Sequence, residues 1–221
     1  SRSNILIYNN TLMDLMFSIT IFYKVYTIYI NQFYVKYVRL ENNLNRSSIN
    51  MKFYEEKLNN YHFLIIYIEK STIKFCCVGF RALNFLHLTG VKTKLSAPMF
   101  YSACINGKLS TRDFSVDTNG KAQQKLYVLP YLSELLYHNC MIGYFINSGI
   151  LIRADYFVGD TKAILSVGFR YGKAADIPVS LYRENIKTLT NPTCKVIGIF
   201  RKKYNEQKFS EYTYLSKDFN S

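Results

Sequence analysis

The chain contains no tryptophan, only ten glycines and only four prolines in 221 residues, which excludes collagen-like and low-complexity architectures. No glycine-rich GxGxxG follows a strand, and there is no Walker loop, GxSxG elbow or HExxH pair, so the common nucleotide, acyl-transfer and zinc-protease chemistries have no anchor. Its five cysteines, Cys76, Cys77, Cys104, Cys140 and Cys194, form no CxxC pair and keep no ligand-like spacing with His62, His87 or His138. Neither a zinc site nor a disulfide framework is expected, and an odd set of thiols fits a reducing, cytoplasmic setting. Acids are scarce as well. Fifteen Asp and Glu stand against 28 Lys and Arg, a formal charge of +13. A metal-dependent nuclease needs clustered carboxylates, whereas acids such as Asp155, Asp160 and Asp176 are scattered, so no metal and no other cofactor is expected.

What is present is enough for a full core, since 49% of the residues are apolar and 16% aromatic. The basic excess favours phosphate polymers as partners, because such a net charge attracts polyanions at long range.

The first 50 residues differ in texture from the rest. Leu12 to Ile30 is about long enough to cross a bilayer but carries Asp14 and Lys24, so membrane association is not expected. A polar linker, Glu41 to Asn50, follows, and Met51 reads as a natural start. Residues 1–50 are thus expected to be a separate helical or disordered extension, and residues 51–221 the folded domain.

Within that domain, Phe53–Asn59 reads as a short helix. His62–Glu69 and Thr72–Val78 read as two strands turning at Lys70-Ser71. Ser96-Ala97-Pro98 is a helix start running toward Gly107, and Ser110 with Asp113 is a second. Lys121–His138 carries Leu126, Leu129, Leu132, Leu135 and Leu136 on one stripe, with Pro130 interrupting it. Beyond Asn139, short β-branched and aromatic runs alternate with turns too short for helical crossovers, which predicts a mainly antiparallel sheet. Helices followed by such strands make an α+β domain.

From Lys70 to Arg112 the chain holds seven bases, Lys70, Lys74, Arg81, Lys92, Lys94, Lys108 and Arg112, and no acid. This surface stays positive unless acids from elsewhere fold over it. In its middle, His87, Thr89, Lys92 and Lys94 gather around Gly90, a residue that permits a positive φ and an anion-binding nest of backbone amides. An imidazole can act as base and then acid while lysines hold a phosphate, which suits phosphodiester cleavage. His62 and His138, at the start of a strand and the end of a helix, read as structural.

The stretch Arg81-Ala-Leu-Asn-Phe-Leu-His-Leu-Thr-Gly-Val91, the later Phe100–Ser110 and Ile177–Tyr182 together resemble a phage- and mobile-element-associated nuclease family of the barnase/EndoU/colicin/RelE-like fold, its fourth group. The resemblance spans roughly residues 51–218. It implies N-terminal helices followed by an antiparallel sheet, and metal-independent cleavage of RNA in a phage, mobile-element or toxin context, in which the ribose 2′-OH attacks its own phosphate. It places His87 and Thr89 on the family's histidine motif; the nearby cation Lys92 and, by strand alternation in the sheet, Ser180 and Tyr182 complete the expected catalytic set, with Arg81, Lys94, Ser166 and Arg170 as the expected RNA contacts. RNA is the expected partner, with an inhibitor or immunity protein as the further partner such a context allows. Two other readings stay open: a basic nucleic-acid-binding module without catalysis, and a membrane-anchored or structural protein using residues 12–30.

Overall fold

A computed structural model describes residue 52 and residues 54–146, 154–161 and 165–220. The apolar segment 12–30, the polar linker 41–50 and the Ser148-Gly149 turn lie outside the described residues. No helix among the described residues is long and apolar enough to cross a membrane.

A π-helical turn, Tyr54–Leu58, leads into the hairpin of β1 (Tyr61–Glu69) and β2 (Thr72–Phe80). Lys70 and Ser71 turn that hairpin with φ of 47° and 63°. This is the left-handed geometry that matches the twist of a two-residue connection. A helical stretch follows: α1 (Ala82–Thr89), the short β3 (Lys92–Thr93), α2 (Ala97–Ile105), the short β4 (Phe114–Ser115), α3 (Lys121–Val128) and α4 (Leu132–Leu135). The chain then runs through β5 (Met141–Phe145), β6 (Tyr156–Gly159), β7 (Ser166–Arg170), β8 (Ile177–Tyr182), the one-turn α5 (Ile186–Leu189), β9 (Thr190–Lys203) and β10 (Glu211–Leu215).

All strand pairs of the main sheet are antiparallel, in the order β2-β1-β9-β5-β6-β7-β8 with β10 added to β9. The sheet curls until its two ends meet. Gly79 N–H donates to the Asp176 carbonyl at 2.9 Å and Asp176 N–H to the Cys77 carbonyl at 2.7 Å. A curl of this kind pairs backbone groups that an edge strand would leave open. The Asp176 side chain braces the junction, accepting from the Tyr156 hydroxyl at 2.7 Å and from the Gly172 amide at 3.0 Å.

The Ser96 start of the helical stretch holds, with Pro98 in the first turn, and the Ser110 start needs correction. Ser96 caps α2 through its carbonyl, which accepts from Phe100 N–H at 2.9 Å, and not through its hydroxyl. Ser110 opens no helix. The Asp113 carboxylate accepts from the Ser110 amide at 2.8 Å and from its hydroxyl at 2.9 Å, closing a turn. The chain then leaves as a strand, because Phe114 must be buried and its backbone pairs with Thr93.

The leucine stripe behaves as its spacing requires. Pro130 sits in a 3-10 turn between α3 and α4, and Leu126, Leu129, Leu132, Leu135 and Leu136 are all buried. Leu132, at 1% exposure, is among the largest fully buried side chains. Leu132→Ala is therefore expected to lower unfolding free energy by about 2–5 kcal/mol, read from urea denaturation. A loss under about 0.5 kcal/mol would show the stripe to be peripheral.

Alternation along the β1, β2, β9 and β10 ladders sorts their residues between two faces. Phe63, Ile65, Val78, Phe80, Val196 and Ile199 are buried on the inner side. The outer side carries successive rows set by the register: Gly79, His62 and Lys202; then Cys77, Leu64, Phe200 and Tyr212; then Phe75, Ile66, Gly198 and Leu215.

Candidate active site

The first of those outer rows is a polar constellation. His62 lies opposite Gly79 on one side and Lys202 on the other. Just past the end of β9, Tyr204 folds back so that its ring stacks on the His62 imidazole, with centroids 4.0 Å apart and planes 29° apart. The Arg81 guanidinium lies 4.6 Å above the same tyrosine ring. Glycine at 79 is what lets these side chains converge. A Cβ there would stand 2.8 Å from the Tyr204 hydroxyl oxygen and 2.9 Å from His62 Cδ2, so any larger residue would push the two rings away.

Each group is held from behind. The backbone of Arg81, the residue preceding α1, donates to the Asn84 side chain at 3.0 Å, and its carbonyl accepts from the Tyr54 hydroxyl at 3.2 Å. Tyr54 is itself wedged edge-on against Phe80, Phe85 and Tyr101. Lys202 is steered by the loop after β9, its ammonium donating to the Gln207 carbonyl at 3.3 Å and lying 5.1 Å over the Phe209 ring. Beside Tyr204 opens a cleft of about 450 Å³ whose lining includes Asn60, Tyr61, Lys203 and Asn205 together with the acids Glu55 and Glu56.

The environment separates the proton affinities of the two rings. Burial, then the charges of Lys202 and Arg81, lower the His62 pKa below the ordinary imidazole value. Burial raises the Tyr204 pKa, against a hydrogen bond and positive charge from Arg81 that pull it back. At neutral pH this leaves a neutral imidazole against a protonated phenol, flanked by two cations. A base, an acid and charge to bind an anion thus share one place.

The residues selected from sequence are spread more widely. Arg81 belongs to the constellation. His87 is exposed in the last turn of α1. Gly90 does take a positive φ, 70°, but as the C-terminal cap of that helix. Carbonyls rather than amides converge at a helix C-terminus, and the His87 carbonyl accepts from Lys125 Nζ at 3.4 Å, so the expected nest of amides is replaced by a cation-capped helix end. Thr89 is fully buried, its hydroxyl donating to the Leu86 carbonyl at 2.7 Å and accepting from the Val91 amide at 3.3 Å. Ser166 is fully buried too and donates to the Glu184 carbonyl at 2.9 Å. Both hydroxyls are committed to local structure and closed to solvent.

Lys92 is exposed and paired with Asp117 at 2.7 Å, while Lys94 is exposed nearby. Two of the seven bases in the acid-free stretch are thus matched by acids from just outside it, Lys92 by Asp117 and Lys74 by Glu69. Arg170 is exposed at the end of β7. Ser180 and Tyr182 are half-buried on β8, where Tyr182 packs edge-on against Phe157 at 5.4 Å and burial raises its pKa against a hydrogen bond with Ser180. Among the described residues no group of three or more His, Cys, Asp or Glu side chains is placed to hold a metal ion.

Sequence reasoning passed over His62, Lys202 and Tyr204. A histidine opening a strand has an ordinary structural explanation, and nothing local links it to a tyrosine beyond the last long strand. The one available signal was the pairing of His62 with Gly79 two residues before Arg81, which requires the β1–β2 register.

A protein-family model described as phage-Barnase-EndoU-ColicinE5/D-RelE like nuclease4 matches residues 49–218. No curated protein and no solved structure matches the chain.

Proposed function

The chain belongs to the phage-Barnase-EndoU-ColicinE5/D-RelE like nuclease4 family, and from that premise we propose that it is a metal-independent endoribonuclease whose site is the His62–Tyr204 constellation. The observation that carries this reading is the stacked imidazole and phenol with proton affinities pushed apart, under the Arg81 guanidinium.

Neutral His62 takes the proton of a ribose 2′-OH. The freed oxygen attacks the adjacent phosphorus, and the bond from phosphorus to the 5′ oxygen breaks. Tyr204 donates its proton to that leaving oxygen, giving a 5′-OH and a 2′,3′-cyclic phosphate. Arg81 and Lys202 stabilise the charge gathering on the non-bridging oxygens, the role usually assigned to arginine and lysine clamps at phosphoryl centres. Because the nucleophile is part of the substrate, RNA and not DNA is cut.

Incubating the purified chain with single-stranded RNA in EDTA tests the proposal. The expected products end in 2′,3′-cyclic phosphate, and a strand with 2′-deoxyribose at the cut position stays whole. Binding without cleavage would favour the non-catalytic binding module, and cleavage of the deoxy strand would overturn the 2′-OH mechanism.

A further inference from the structure

The outer face of β2, β1, β9 and β10 continues from the His62 row into apolar and aromatic rows that are open to solvent on β2 and β10, while on β9 the Phe219 ring lies over Gly198 and against Phe200. Phe75 is 72% exposed and Tyr212 66% exposed, far more than a packed sheet face allows large rings, and Phe200 lies half-buried between them. Through these three rows no outward position holds an acid, while Lys202 stands at the end nearest the proposed site and Arg81 just beyond it.

We propose that this face is a stacking platform for the bases of single-stranded RNA, leading the strand into the His62–Tyr204 site. The inference rests on the ribonuclease reading and names the form of RNA that the site takes. Three observations favour this occupant. The face combines exposed aromatic rings with cations and lacks acids, the pairing that binds single strands through base stacking and backbone charge. It is continuous with the constellation, since Lys202 and Phe200 are successive outward positions on β9. The outward side of a curled sheet is convex, so it offers rings to unpaired bases and no groove to grip a duplex.

The register also sets how far along the strand each ring acts. Phe75 pairs with Ile66, four residues along β1 from His62, which is about 13 Å at strand rise. Phe75 therefore meets a base beyond the two nucleotides that flank the cut.

The experiment measures affinity separately from cleavage. The full chain, Phe75→Ala, Tyr212→Ala and the double variant are titrated at fixed salt into a fluorescent single strand bearing 2′-O-methyl groups, which cannot be cut, and into a duplex of the same sequence. Each single variant is expected to lose roughly 5- to 100-fold in single-strand affinity, with the duplex changed far less. Cleavage of a dinucleoside phosphate, too short to reach Phe75, stays at its original rate. Phe75→Trp and Tyr212→Phe keep an aromatic ring and are expected to retain binding, which separates stacking from a folding defect.

Unchanged single-strand affinity in the double variant overturns the platform, as does an equal loss for duplex and single strand. If the double variant instead abolishes self-association in sedimentation and leaves RNA affinity intact, the face belongs to a protein contact and the proposal fails. Ring-dependent binding by a chain that cuts no RNA would sink the ribonuclease reading alone.

Discussion

His62→Ala is expected to slow RNA cleavage by about 10²- to 10⁴-fold, the usual loss when a positioned general base is removed, with melting temperature nearly unchanged. The side chain is half-buried on the outer face of β1, so truncating it opens no cavity in the core. The pH profile identifies the role. Burial and the neighbouring Lys202 and Arg81 charges lower the His62 pKa, so its proton leaves below the ordinary imidazole value near 6.5. The active neutral form then dominates from that point upward. Cleavage by the intact chain is expected to rise with pH along a limb below about 6.5 and to be flat at neutrality, and whatever activity His62→Ala keeps is expected to lack that limb. His87→Ala is the decisive companion, because His87 is the exposed histidine of the motif that resembles the family. It is expected to retain most activity. Full activity in His62→Ala together with loss in His87→Ala would move the site to the end of α1.

Arg81→Ala is expected to reduce the rate by about 10²- to 10³-fold, comparable to removing one donor from a preorganised anion site. In the proposed mechanism the guanidinium has two tasks: it places positive charge at the His62 row, where the phosphate is proposed to bind, and it covers the Tyr204 ring at 4.6 Å while holding down that phenol's pKa. Removing it lets the Tyr204 pKa climb further, so the alkaline limb of the rate profile shifts upward. A residue needed only for folding would not produce that shift. Arg81→Lys keeps the charge but loses the planar stacked group, so partial recovery is expected. The Arg81 backbone is fixed by Asn84 and Tyr54, neither of which is altered. A well-folded Arg81→Ala variant with normal kinetics would remove Arg81 from the mechanism.

How much was legible in the sequence differed from element to element. The β1–β2 hairpin was readable because its strands and turn lie within one short stretch and the physics is local. The leucine stripe was readable because a period of 3.6 marks a buried helix face whatever it packs against. The Ser110 start misled because an Asp three residues after a Ser satisfies the same bonds in an isolated turn as in a helix cap, and burial of Phe114 decided between them. Thr89 and Ser166 looked like polar candidates because sequence does not reveal that a hydroxyl already donates to a backbone carbonyl inside the core.

By itself the sequence determined the charge, the family resemblance, the antiparallel character of the later strands and the amphipathic helices before them. All of these follow from composition or from patterns within a few residues. Tertiary structure alone decided that β9 returns to lie beside β1, placing Lys202 opposite His62 and Tyr204 on its ring, and that β2 meets β8 through Asp176. Those pairings join residues from opposite ends of the folded chain. Strand alternation states which face a residue takes, but only the register between distant strands states which residue it meets.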